Sequence, residues 1–130
     1  RHKPDVLICM SPVRQLSGDG YLGHPDHFNS GEAALAAVFP SARDRLTFPE
    51  LLEEGLEPHN VREVWVMGHG EPNNYVDVTG HMDVAVKALQ QHQSQKPGEE
   101  AETHMRQWRS RAGDKVGFQY AEAFRRFRLG

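Results

Sequence analysis

The sequence predicts an α/β fold, and within that class the later part of a sheet with its helices more than a complete one. Three observations carry this expectation. The apolar run Val6-Leu7-Ile8-Cys9-Met10 follows a Pro-Asp break, and its length and flanks read as a strand buried on both faces, as in a parallel sheet beneath helices. A second apolar run, Val61 to Met67, stops at Gly68-His69-Gly70. Segments of helical character lie between and after these runs, which is the alternation of an α/β domain. Three strands with four helices would leave sheet surface and an edge uncovered, so further strands are expected ahead of Arg1. The opening residue is not Met, and a longer or trimmed protein is expected for the same reason.

The elements follow in order. Residues 11–23 hold a proline and three glycines and read as a loop just past the carboxyl end of the first strand, where open α/β sheets build their ligand sites. Pro25 suits the first turn of a helix that Phe28 to Phe39 continues and Pro40 stops. Residues 41–60 are mostly irregular, with a short helix from Phe48 to Glu54 ended by Gly55. After the strand Val61–Met67, Asn73-Asn74 turns the chain into a third strand, Tyr75 to Val78. Thr79 is a good N-cap for a helix from about Gly80 to Gln93, in which Met82, Val86 and Leu89 recur at helical spacing. Lys96-Pro97-Gly98 breaks the chain. Glu99 to Arg111 reads as a charged helix ended by Ala112-Gly113, and Phe118 to Phe127 as a last amphipathic helix. The whole of 1–130 is expected to be part of a single domain.

Composition narrows the function. With 130 residues, 15 Lys and Arg against 18 Asp and Glu, and a formal net charge of -3, nothing in the electrostatics argues for nucleic acid or an anionic membrane. Arg125, Arg126 and Arg128 form the one basic cluster and read as a solvated helix end. No stretch approaches the ~20 apolar residues of a membrane span, and no signal peptide is visible. The single cysteine, Cys9, excludes an intrachain disulfide, suits a reducing cytoplasm, and reads as a buried strand thiol.

The residues with chemistry are Gly20-Tyr21-Leu22-Gly23-His24-Pro25-Asp26-His27, at a strand-loop-helix junction. Histidines three apart on the first turn of a helix face one side, so His24 and His27 can address one site. A helix N-terminus disfavours imidazolium and keeps a histidine able to bind a cation. Asp26 can anchor the loop or orient an imidazole. Catalytic zinc takes three protein ligands and an open position, more than this motif supplies by itself. His69, between two glycines after the second strand, and His92, at a helix end, are the first candidates to join it. His2, His59, His81 and His104 read as surface residues.

In order and context these segments resemble the C-terminal portion of the LmbE-like (PIG-L) N-acetylglucosaminyl deacetylases. The resemblance runs from Lys3-Pro4-Asp5-Val6-Leu7 through His24-Pro25-Asp26-His27, Phe48-Pro49-Glu50-Leu51-Leu52, Val61-Arg62-Glu63-Val64, Glu71-Pro72-Asn73 and Val76-Asp77-Val78-Thr79. It ends with His92-Gln93-Ser94-Gln95 and Tyr120-Ala121-Glu122-Ala123-Phe124-Arg125. It implies a Rossmann-like three-layer deacetylase fold, one Zn2+ at the carboxyl ends of the strands, and His27 as a zinc ligand. His24 would assist the tetrahedral intermediate, electrostatically or as an acid, with Asp26 as its supporting carboxylate. Tyr21 would lie on the substrate side, where His69 and His92 are further candidates. The family's other motif, His-Pro-Asp-Asp-Glu, which supplies the remaining ligands and the base, is absent from these residues. The implied reaction of the intact protein is removal of acetate from an N-acetylglucosamine-type substrate, such as a mycothiol or bacillithiol precursor or a glycosyl-inositol. The expected partner is this small N-acetylated sugar, with a homo-oligomer as the candidate assembly. A non-catalytic binding or scaffold module lacking the first metal motif is the alternative reading.

Overall fold

The computed structural model describes residues 1–16, 22–95 and 98–130. The elements are β1 (Val6–Met10), α1 (Pro25–Ala36), α2 (Pro49–Glu53), β2 (Glu63–Met67), β3 (Asn74–Asp77), α3 (Met82–Gln90), α4 (Glu99–Asp114) and β4 (Ala121–Arg128). The chain divides into two compact units, one of Arg1–Pro72 with Phe124–Gly130 and the other of Asn73–Ala123.

In the first unit β1 runs parallel to β2, with Val6 opposite Glu63 and Met10 opposite Met67. A parallel pair needs a crossover connection, and the segment containing α1 and α2 provides it. Cys9, Val38, Val61, Val64 and Val66 form the buried cluster, with Leu7, Ala34 and Leu35 packed against it. Each fully buried valine or leucine contributes about 1.5–3 kcal/mol. Burial pushes the Cys9 thiol above its ordinary value, as befits a strand cysteine in an apolar core. The strand is not buried on both faces, however. Leu7 and Cys9 turn to the core, while Val6 and Ile8 are 43% and 55% exposed. That is the period-two alternation of a strand with one covered face.

The first helix is shorter than Pro40 alone would make it. Pro40 disfavours helical backbone at the residue before it, and Phe39 is extended (φ -150°, ψ 124°). α1 therefore closes at Ala36, and the chain passes through a π-type turn over Ala37–Ser41 with a cis Phe39–Pro40 bond. α2 falls within the expected short helix, and Gly55, at φ 76°, follows it.

The largest difference is the C-terminus. Residues Phe118, Ala121, Phe124 and Phe127 recur at helical spacing, yet Ala121–Arg128 is a strand. Its later part pairs antiparallel with β2, Glu63 opposite Arg128 and Met67 opposite Phe124. Cross-strand chemistry outweighs the high helical propensity of Ala, Glu and Arg here. The Arg126 guanidinium donates to both Glu63 carboxylate oxygens, one at 2.8 Å from Nε, and lies 5.5 Å from the Trp65 ring centroid. Trp65 also packs on Phe124 at 5.4 Å and donates its indole N–H to Glu63 at 2.8 Å. Arg126 is thus half-buried and paired, not the solvated helix end that its position in a basic cluster suggests. The sheet is mixed, with four strands where the sequence pattern shows three.

In the second unit β3 neighbours the start of β4. Thr79 does not cap a long helix. Its hydroxyl accepts the Tyr120 N–H at 3.2 Å, its own N–H donates to Asp77, and a 3-10 turn over Thr79–His81 precedes α3. The apolar spacing holds: Met82 and Val86 are buried. α4 runs through Ala112-Gly113 to Asp114, because Gly113 lacks the Cβ that would meet the Phe118 carbonyl oxygen at 2.3 Å. Arg109 pairs with Glu122 and Arg106 with Asp83 and Glu102. No helix among the described residues is long and apolar enough to cross a membrane.

Arg126, and after it the Trp65 N–H, hold the Glu63 carboxyl down at about 2 from an ordinary 4.5. A carboxyl depressed on folding stabilises above its unfolded value, and that stabilisation drains away as pH falls from 4.5 towards 2. Glu63→Gln is expected to flatten the fall of the urea midpoint across that window. An unchanged slope would show that the β2–β4 pairing does not depend on this carboxylate.

Candidate active site

The candidate site lies where β1 ends and α1 begins. Three local features put it there. Gly31 of α1 sits against the end of β1 so closely that a Cβ would lie 2.4 Å from the Met10 carbonyl oxygen. Ser11, buried just past β1, donates its N–H to the Met67 carbonyl at 2.8 Å, and its hydroxyl accepts the Val13 N–H at 3.2 Å. Gly23, at φ 80°, has no Cβ, and one there would collide with the Phe28 ring at 2.2 Å. Helix, strand end and loop are held together at these contacts.

Arg14 adds a clamp that sequence reading passes over. Its guanidinium donates to the Leu22 carbonyl at 2.8 Å and lies 4.6 Å from the centroid of Phe28. An extended arginine on the loop after β1 thereby holds the segment that leads into the motif, and stacks on the helix that carries it. No local pattern marks such a contact.

His24 is the N-cap of α1, with extended backbone (φ -99°, ψ 138°), and its Nδ1 accepts the Asp26 N–H at 3.2 Å. An imidazole nitrogen that accepts carries no proton, so the neutral ring bears its hydrogen on Nε2. Nε2 is then a hydrogen-bond donor. Asp26 Oδ2 is 3.5 Å from the same Nδ1. That carboxylate and the cap compete for one nitrogen: the cap requires it bare, and an ion pair with Asp26 requires it protonated. The shorter, oriented contact is the cap. Asp26 itself is 84% exposed and sits in the first turn, where a carboxylate complements the helix dipole.

His27 occupies the same turn, its ring centroid 6.1 Å from that of His24. It forms part of the wall of a cavity of about 170 Å³ that also touches Met10, Val13, Phe28 and Met67. His69 stands in the loop after β2 in the same unit, where its Nδ1 accepts the Glu71 N–H at 3.1 Å, the arrangement of His24 repeated. His92 belongs to the second unit, after α3, where its N–H donates to the Leu89 carbonyl. Tyr21 lies outside the described residues. His59, expected at the surface, is half-buried, with Nε2 2.8 Å from the Pro4 carbonyl oxygen. The structure brings His24, Asp26 and His27 onto one helical turn and gives His69 a matching capped loop. Among the described residues no group of three or more His, Cys, Asp or Glu could hold a metal ion.

A strand-end loop feeding a histidine-bearing helical turn lies where open α/β sheets build their ligand sites. The comparisons narrow this. No family model matches the chain. It is 32% identical over 128 residues to the diacetylchitobiose deacetylase of Thermococcus kodakarensis, a match covering 96% of this chain and 46% of that protein. It superimposes on the N,N'-diacetylchitobiose deacetylase of Pyrococcus horikoshii with a TM-score of 0.83 and 27% identity, over 97% of this chain and 46% of that one. A conserved protein of Thermus thermophilus shares the fold at a TM-score of 0.69 and 24% identity, over 93% of this chain and 50% of that one. The chain is thus similar to diacetylchitobiose deacetylases over nearly its whole length and spans a little under half of theirs.

The site depends on the approach of α1 to β1, and Gly31 tests it. Gly31→Ala puts a methyl against a backbone carbonyl that no rotamer change can move. A stability loss of about 1–3 kcal/mol is expected in urea unfolding. A loss within error would mean that α1 is free to shift away from the strand end.

Proposed function

We propose that the chain forms one half of the active site of a zinc-dependent N-deacetylase that releases acetate from an N-acetylglucosamine-type substrate. The observation that carries this reading is His24-Pro25-Asp26-His27 on the first turn of α1, beside the end of β1, in a chain similar to deacetylases along nearly all of its length. His27 is the donor this chain would give to a zinc ion. The described residues do not make a full ligand set, since three are usual, and the others would come from the portion of such enzymes that this chain does not span. When bound, zinc polarises the amide carbonyl and lowers the pKa of a water to about 7.

The chain's own groups act around that centre. The cap on His24 Nδ1 leaves Nε2–H as a donor for the oxygen that gains charge when the carbonyl becomes tetrahedral. Asp26 supplies negative charge beside the ring that forms if His24 takes a second proton, and its own N–H fixes the ring's orientation. Removing one such oxyanion donor from an enzyme typically costs about 10²–10³-fold in kcat.

Two variants of the full gene product separate the roles. His27→Ala is expected to lose both bound zinc, read by elemental analysis, and acetate release from diacetylchitobiose. His24→Ala is expected to keep zinc while kcat falls about 10²–10³-fold. Undiminished turnover in His24→Ala removes that assignment. Full zinc in His27→Ala removes the other. No turnover from the wild type, with or without added zinc, leaves a non-catalytic binding module as the better reading.

A further inference from the structure

The cavity beside His27 is larger than an acetyl group needs. It measures about 170 Å³, several times the roughly 30 Å³ taken by a water-sized group, which a methyl approximates. Its walls are Met10 at the end of β1, Val13 and Leu22 from the flanking loop segments, Phe28 of α1 and Met67 at the end of β2. These are apolar, flexible or aromatic surfaces that favour hydrocarbon. Of the other polar side chains in these walls, the Ser11 hydroxyl already accepts from the Val13 N–H, which leaves the Gln15 amide. Among the described residues, one amide and one imidazole fall short of the ring of partners a sugar's hydroxyls need. The one wall residue with hydrolytic chemistry in the reading above is His27.

We infer that this cavity is the acyl pocket of the site, and that it accepts N-acyl groups longer than acetyl, up to about butyryl. The inference rests on the deacetylase reading and specifies its substrate class: amides of amino sugars with short unbranched acyl chains. An amide whose carbonyl lies at His27 would direct its acyl tail between Met10, Phe28 and Met67, and its amino sugar away from the strand end. The reaction is ordinary amide hydrolysis. Water's oxygen bonds to the acyl carbon, the C–N bond breaks, the amine takes a proton, and the acyl chain leaves as a carboxylate. Only the length of that carboxylate differs.

The pocket has a rim that can be narrowed without disturbing the core, because Leu22 and Val13 are 65% and 54% exposed. The test compares kcat/KM of the full gene product on N-acetyl-, N-propionyl- and N-butyrylglucosamine, read as free amine released. The wild type is expected to hydrolyse the butyryl amide within about tenfold of the acetyl amide. Leu22→Trp and Val13→Trp are each expected to lower the butyryl-to-acetyl ratio by tenfold or more, the range that methylene-sized misfits in apolar pockets produce. Two variants on different segments guard against one failing to fold. Hydrolysis of the acetyl amide with larger discrimination against butyryl in the wild type overturns the pocket while leaving the deacetylase reading intact. So does a ratio unmoved by both tryptophans. No amine from any of the three amides overturns the deacetylase reading, and the pocket with it.

Discussion

The approach of Gly31 to the Met10 carbonyl sets the position of every group at the candidate site. A helix carrying any other residue there would stand off from the strand by the depth of at least a methyl. Because α1 is rigid from Pro25 onward, that displacement would be carried to its first turn, where His24, Asp26 and His27 sit. Gly23 makes the same demand from the other side, with the Phe28 ring filling the space of its absent Cβ. Arg14 then closes the loop by holding the Leu22 carbonyl and stacking on Phe28. Two glycines and one arginine, none with any chemistry to perform, thus determine where the histidines are.

The cap on His24 has a consequence for its chemistry. N-caps are usually Ser, Thr, Asp or Asn, whose side-chain oxygens accept from the helix N–H groups. A histidine does this only through a bare Nδ1, so the structural need of the helix selects one tautomer of the ring. The nitrogen left with the hydrogen is the one free to donate. On the proposed function, the cap at Nδ1 and the donor at Nε2 are served by one tautomer. Protonating Nδ1 would give Asp26 an ion-pair partner but would cost the helix its cap.

Much of this was legible in the sequence, and the failures have physical causes. The two parallel strands, the loop past β1 and the helix opening at Pro25 follow from apolar runs and proline placement. The motif stands out because its spacing places two histidines on one turn. β4 did not stand out. Its phenylalanines lie three apart, and the pairs that make it a strand, Arg126 with Glu63 and Phe124 with Trp65, join positions distant in sequence. The exposed face of β1 was misread for a related reason: an unbroken apolar run looks the same whether one face or both are covered. Arg14 and the apolar cavity escaped notice because neither has a pattern. Each exists only once the loop, α1 and the ends of β1 and β2 have been brought together.

Metal chemistry places a sharper constraint on this arrangement than fold similarity does. A structural fold tolerates division, since a sheet with its crossover helix can bury a core of its own, as Cys9, Val38, Val61, Val64 and Val66 do here. A catalytic zinc does not tolerate it, because a single imidazole falls short of the three ligands that hold the ion while leaving a position open. His27 is one exposed donor, His24 spends a nitrogen on the cap, and His69 spends one on its own turn. On the proposed reading, zinc affinity would depend on ligands from the portion of such deacetylases that this chain does not span. The apolar cavity differs in this respect. Strand ends, loop and helix of the first unit line it, so on the proposed reading this chain would set the length of acyl group admitted even where it gave only one ligand to the metal.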